Sequence, residues 1–184
     1  MQHYGARSTL LVVLFVSSLA FLPPAFAQSS KVTRENIAGV TNFARLETTV
    51  ACAGATKAEA VPAIKQMGFK AIINVRERNE PGAEMEKEEA AARAAGLNFV
   101  NIPFSVAAPA PDLADRFLAE IVKPENTPAF IHCAGGGRAA TLWMIKRVKI
   151  DGWDVARATE EATALGMNER TKPFVTEYLR THKH

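Results

Sequence analysis

Histidine and cysteine are scarce in this 184-residue chain, with His 4 and Cys 2. His3 lies near the N-terminus and His182 and His184 at the other end, so His132 stands alone in the body of the sequence. A zinc centre or a Ser-His-Asp triad has no parts to be built from, and no metal or other cofactor is expected. Cys52 and Cys133 are too few for a disulfide framework, though they allow one bridge. Excess charge is also missing. Lys+Arg 22 against Asp+Glu 19 gives +3, a balance that offers no reason for a nucleic acid or a membrane surface as partner. No internal repeat or low-complexity block interrupts the chain.

Long apolar runs are absent with one exception. Residues 10–22 are apolar apart from Ser17 and Ser18, Pro23 and Pro24 end the run, and Ala25-Phe26-Ala27 follows as a small-x-small cleavage site. This is the layout of a secretory signal peptide. The run is shorter than the roughly 20 residues that a spanning helix needs. Residues 1–27 are therefore expected to be a signal peptide, and the mature chain an exported, periplasmic or secreted protein with no membrane partner. Residues 28–40 are polar and aperiodic and read as a loose lead-in. Residues 41–184 read as a single domain with enough chain for a real core.

Within that domain, strand and helix patterns alternate. Residues 43–52 suggest a first strand. Thr56 reads as an N-cap with Glu59 closing a capping box, Val61, Ile64 and Met67 as an apolar face, Pro62 as a blemish in that helix, and Gly68 as the stop. Residues 71–75 are a short apolar strand, followed by a charged loop at 76–80. The Ala- and Glu-rich stretch 84–95 is a helix ended by Gly96, and 99–103 a further strand. A loop rich in proline and alanine fills 107–111, then Asp112 reads as the cap of a helix carrying Leu113, Phe117 and Leu118. A buried-type strand at 129–131 leads through a glycine-rich loop into a helix over 138–149. Asp154 can cap the next helix, and 171–179 is the last, with Pro173 near its start. Strands separated by helices pair in parallel with right-handed crossovers. The pattern predicts a three-layer α/β domain, its mostly parallel sheet of about four to five strands flanked by helices.

The chemistry concentrates in residues 130–143, F-I-H-C-A-G-G-G-R-A-A-T-L-W. A buried strand runs into Cys133. Gly135, Gly136 and Gly137 let the backbone turn tightly and aim N–H groups inward, and the helix beginning near Arg138 adds its N-terminal dipole. Such a cradle favours an anion and favours the thiolate of Cys133, which is the nucleophile. Arg138 offers a planar fork for a phosphate or another oxyanion. His132 can modulate the thiolate or simply pack at the strand end. Arg76 starts the charged loop beside Glu77, Arg78 and Glu80, either as an anion ligand or as part of a structural ion pair or a solvated loop. Cys52, at the end of the first strand, is either inert and buried or a redox partner able to bridge to Cys133.

The loop H-C-A-G-G-G-R resembles that of the cysteine-dependent protein tyrosine and dual-specificity phosphatases. The wider run is similar to a bacterial branch, the beta-lactamase-hydrolase-like phosphatase domain: A-G-A-T at 53–56, G-F-K-A-I-I-N-V-R at 68–76, Glu80, I-P at 102–103, then the loop. The resemblance extends over about residues 40–170. It implies a protein-tyrosine-phosphatase-like fold, a periplasmic setting, no metal, and a phosphorylated substrate. By position, Cys133 would be the nucleophile, Ala134, Gly135, Gly136 and Gly137 the backbone donors, and Arg138 the oxyanion clamp.

Three features depart from that family. Its loop has one more residue between Cys and Arg; the four present here, Ala134 to Gly137, match rhodanese-type sulfurtransferases, whose partner is a sulfur donor and whose cysteine carries a persulfide. The residue after the family's Arg is usually Ser or Thr, whereas here it is Ala139. The family's general acid is an Asp on a separate loop, and the matching residues 104–111 contain no acid. Asp112 is the nearest candidate, and it also reads as a helix cap. A sulfurtransferase and a non-catalytic anion-binding module thus stand beside the phosphatase as expected functions.

Overall fold

Apolar strands of four residues, too short to be independently stable, are buried here by helices on both faces of one sheet, as a computed structural model of the protein shows. The structure describes Met1 and residues 31–182, so the expected signal peptide lies outside the described residues apart from Met1. The strands are β1 (Val32–Arg34), β2 (Ala44–Leu46), β3 (Val50–Ala53), β4 (Ala71–Asn74), β5 (Asn98–Asn101) and β6 (Ala129–His132). The helices are α1 (Val61–Gln66), α2 (Met85–Ala94), α3 (Leu113–Ile121), α4 (Gly137–Lys149), α5 (Val155–Leu165) and α6 (Lys172–Thr181). The sheet order is β1-β2-β3-β6-β4-β5. Strands β3, β6, β4 and β5 pair in parallel, and β1 and β2 add an antiparallel edge.

The sheet has six strands, more than the four to five expected, and both extra pairings have a physical origin. Residues 43–52 do not run straight. Glu47 takes a positive φ of 47°, and Thr49 N–H donates to Leu46 C=O at 3.1 Å, so the chain reverses and yields β2 and β3. Residues 28–40, expected as a loose lead-in, supply β1, whose backbone groups are satisfied by β2 in register Val32 with Leu46. An edge strand of three residues with little apolar content leaves no periodic signal.

The two faces of the sheet carry separate cores. On one, α1 and α2 cover Phe69, Ile72 and Phe130, with the Phe69 and Phe130 rings edge to face at 5.8 Å. On the other, α3 to α6 bury Ile73, Ile131, Phe104, Phe117, Leu142 and Trp143. Pro62 is no blemish: it sits in the first turn of α1, where its missing N–H costs nothing. The capping box does not form. Thr56 Oγ1 donates instead to Gly54 C=O at 3.1 Å, and a single tight turn at Ala58–Ala60 leads into α1. Asp154 caps α5 as expected, accepting from Arg157 N–H at 2.8 Å.

Candidate active site

In a parallel array the loops that follow the strands gather at one edge. Here β6 lies between β3 and β4, so the loop after β6 is flanked by the loops after those two. Cys133 is the first residue beyond β6, and its N–H still bonds Ala53 C=O of β3 at 3.1 Å. Next door, Val75 N–H bonds His132 C=O at 2.9 Å. The nucleophile candidate therefore sits where the strand is still rigid.

The loop is braced from behind. Ala134 C=O accepts from Ala55 N–H at 2.9 Å, and Gly135 C=O accepts from Asn42 Nδ2 at 3.2 Å. In a trans peptide the C=O of one residue and the N–H of the next point in opposite directions. Both carbonyls face outward, so the N–H groups of Gly135 and Gly136 face in. Gly136 N–H does meet Cys133 Sγ, at 3.1 Å. Gly136 has φ of 96°, the left-handed conformation that glycine adopts without strain, and a Cβ there would have room. At Gly137 the constraint is space: a Cβ would lie 2.6 Å from Asn168 Nδ2. The side chain of Asn168, from the α5–α6 connection, thus rests against the first turn of α4.

Arg138 is held in place by three contacts. Its guanidinium donates to both carboxylate oxygens of Glu80, at 2.7 and 2.8 Å, and to Phe104 C=O at 2.8 Å. Burial opposes ionisation of Glu80, but the Arg138 guanidinium beside it outweighs that and holds the carboxyl below the usual carboxylate range. Burial opposes the charge on Arg138 in the same way, but the pairing with Glu80 and the charge of Cys133 hold its guanidinium firmly protonated.

Cys133, Ala134, Gly135, Gly137 and Arg138 line one cleft of about 440 Å³. Its remaining walls are Glu77 and Glu80 after β4, Ser105, Val106 and Ala107 after β5, and Asn168, Arg170 and Thr171 before α6. The space suits a phosphoryl group with part of its leaving group. Thr141 takes no part: its buried hydroxyl bonds Gly137 C=O and Thr171 Oγ1. The position after Arg138 is Ala139, which carries no hydroxyl.

Four of the weaker candidates fall elsewhere. Arg76, weighed as an anion ligand, is buried behind the cleft and donates to Glu80 at 3.1 Å and to the carbonyls of Pro81 and Gly82. It is the structural ion pair among those readings, and it pins the loop that carries Glu80. Asp112, weighed as general acid or helix cap, lies outside the cleft and stands at the N-cap position of α3. It is exposed and pairs with Arg116 at 3.1 Å, and its side chain makes no cap hydrogen bond. His132 alternates away from Cys133, onto the α1–α2 face. Its Nε2 lies 2.7 Å from Glu88 Oε1 without hydrogen-bonding alignment, and its ring packs on Phe130. Glu88 in turn accepts from Asn74 Nδ2 at 2.7 Å, and Asn74 Oδ1 accepts from Arg76 N–H at 2.8 Å. His132 thus reaches the charged loop only through the far side of the sheet. Cys52 is fully buried on the same face as Cys133, and both thiols are free. Burial, followed by the nearby charge of Cys133, pushes the Cys52 thiol far up.

The sequence alone marked neither Asn42, which braces the loop, nor Asn168 and Arg170, which line the cleft, and it gave Glu77 only as one member of the charged loop. Only Asn168 carried a local signal, as the polar residue ahead of a helix whose side chain accepts from Arg170 N–H at 3.1 Å.

Comparison with known proteins agrees with this geometry. Residues 42–150 match the family described as beta-lactamase hydrolase-like protein, phosphatase-like domain. A curated relative, the beta-lactamase hydrolase-like protein of Agrobacterium fabrum, is 39% identical over 89 residues, which cover 46% of this chain and only 20% of that protein. Three solved structures share the fold. A putative phosphatase from Shewanella putrefaciens CN-32 superposes with TM-score 0.65 at 17% identity, covering 80% of this chain and 97% of that one. P. aeruginosa TpbA, as a cysteine-to-serine variant in complex with pTyr, gives 0.63 at 16% identity, covering 86% and 93%. The core catalytic domain of the S. cerevisiae PP-IP phosphatase Siw14 gives 0.59 at 15% identity, covering 77% and 85%. The fold is thus the α/β architecture of the protein-tyrosine-phosphatase-like phosphatases, and the chain belongs to the beta-lactamase hydrolase-like phosphatase domain family.

Proposed function

We propose that the chain is a cysteine-dependent phosphatase that hydrolyses phosphate monoesters through a phosphocysteine on Cys133. One observation carries the reading: Cys133, whose Sγ accepts from Gly136 N–H, the backbone of Ala134, Gly135 and Gly137, and a pre-positioned Arg138 meet in one cleft. Cys133 Sγ attacks phosphorus, an S–P bond forms and the P–O ester bond breaks. Amides and guanidinium stabilise the equatorial oxygens, and water then cleaves the S–P bond to give phosphate and the thiolate. The complex of TpbA with pTyr supports an aryl phosphate as a substrate of this class. The apolar run before Ala25-Phe26-Ala27 supports an exported protein, cleaved before Gln28 and working in the periplasm or outside the cell.

The four-residue spacing from Cys133 to Arg138 favours a second reading, a sulfurtransferase carrying a persulfide on Cys133. A sulfur atom needs a smaller ring of donors than a phosphoryl group. A non-catalytic module would bind phosphate through the same amides without turnover. Intact-mass analysis separates the three after incubation with an aryl phosphate or with thiosulfate. A phosphoryl adduct and phosphate release, both lost in Cys133→Ser, are expected. A gain of one sulfur from thiosulfate with no Cys133-dependent phosphate release would replace the phosphatase with the sulfurtransferase. Phosphate binding with neither adduct would leave the binding module.

A further inference from the structure

A phosphatase cleft needs a proton donor for the departing oxygen, and residues 104–111 supply none. The cleft itself holds two carboxyl groups, Glu77 and Glu80. Glu80 is committed: both oxygens serve Arg138 and one also serves Arg76, and its carboxyl is held ionised. Glu77 is different. It is half-buried in the cleft wall, and its carboxyl meets no hydrogen-bond or ion-pair partner among the described residues. Its backbone is nevertheless fixed. Glu77 N–H donates to Glu80 Oε2 at 3.4 Å, and Glu77 C=O accepts from Glu80 N–H at 3.1 Å. The residue is therefore tied to the carboxylate that holds Arg138, on a loop that Arg76 anchors to Pro81 and Gly82. Sheet order explains the placement: β4 is the immediate neighbour of β6, while β5 is one strand further out. The loop after β4 is the first that can reach over the cysteine loop from that side.

We propose that Glu77 is the general acid of the reaction, an assignment that rests on the phosphatase reading above. As the P–O bond breaks, the Glu77 carboxyl gives its proton to the leaving oxygen. The resulting carboxylate takes a proton from the water that attacks phosphocysteine, which restores the acid and releases phosphate from the thiolate. The donor thus comes from the β4–α2 loop, and its rigidity means that protonation requires no closing of the 104–111 loop.

The test is a series of aryl phosphates, from 4-nitrophenyl to phenyl phosphate, with wild type, Glu77→Gln, Glu77→Asp and Glu80→Gln. An acid matters more as the leaving phenol becomes less acidic, so the loss in Glu77→Gln should be smallest with 4-nitrophenyl phosphate and grow to about 100-fold with phenyl phosphate. Glu77→Asp should restore part of the flat wild-type dependence. Glu80→Gln, which acts through Arg138, should lower all substrates by a similar factor. A uniform loss across the series, or none, overturns the role of Glu77 while Cys133-dependent phosphate release leaves the phosphatase reading standing. Absence of any Cys133-dependent release from the wild type overturns both.

Discussion

Replacing Glu80 by Gln should destabilise the domain, and the structure fixes both the size and the pH range of the effect. The carboxylate bridges two guanidinium groups, Arg138 at 2.7 Å and Arg76 at 3.1 Å. Side-chain exposures are 18% for Glu80, 12% for Arg138 and 4% for Arg76, so the triad is largely shielded from water. Breaking a fully buried pair costs roughly 3–5 kcal/mol, because the charge left behind keeps its desolvation penalty. Here Glu80 is partly solvated, Gln keeps one acceptor oxygen, and Arg76 and Arg138 retain backbone carbonyls. The expected cost is about 2 kcal/mol, which lowers the melting temperature by about 4–8 °C for a domain of this size. The pH dependence follows from the depressed carboxyl. Its folded-state pKa lies below the ordinary 4.5, so its contribution is complete above that value and is lost as pH falls through the folded pKa. Thermal or urea unfolding of both proteins should therefore show a constant gap near neutral pH that closes in acid. Identical midpoints at pH 7, or a gap undiminished in strong acid, would refute the argument that Glu80 is the shared counter-charge.

Arg138→Lys should lower kcat/KM for aryl phosphates by about 100-fold, since an ammonium cannot hold Glu80, Phe104 C=O and an oxyanion in one plane; a loss under about threefold would contradict the clamp. Gly136→Ala should cost about 1–2 kcal/mol in unfolding experiments although its Cβ has room, because φ of 96° is strained for any side chain; an unchanged midpoint would count against this. Insertion of one glycine after Gly136 probes the short loop: phosphate release should rise relative to sulfur transfer if four residues narrow the donor ring, and both rates falling together would show that spacing does not select the reaction. N-terminal sequencing of exported material should begin at Gln28, and Met1 retained in a membrane fraction would exclude cleavage.

What was legible in the sequence is what local periodicity encodes. The apolar runs of β4 and β6, the Asp154 cap and the glycine run before Arg138 each announce themselves within a few residues, and together they give the parallel core and the cysteine loop. The errors arose where a local pattern was overridden by a distant partner. Thr56 has the spacing of a capping residue, yet its hydroxyl goes to Gly54, because this segment is already held against the cysteine loop by Ala55. Asp112 stands at the N-cap position, yet its carboxylate pairs with Arg116 instead of capping a backbone N–H. β1 exists only because β2 lies beside it.

The functional assignments follow the same division. The proposed nucleophile is a local matter, because the strand–glycine–arginine run by itself points to Cys133. Which residue can be the acid depends on which loops meet over that run, and this depends on strand order. The chain makes β4, β5 and β6 in sequence, but the sheet places β6 against β4. Search along the sequence for an acid thus leads to the stretch just before α3 and to Asp112, which the fold carries out to solvent. Search across the sheet leads to the loop after β4. There Arg76 directs its donors to that loop's own carbonyls and to Glu80, Glu80 gives its oxygens to Arg138, and Glu77 faces the cleft with its carboxyl uncommitted. An ion-pair chain that looks purely structural in sequence is therefore the part that fixes the clamp, and it leaves one acidic side chain beside it free to act.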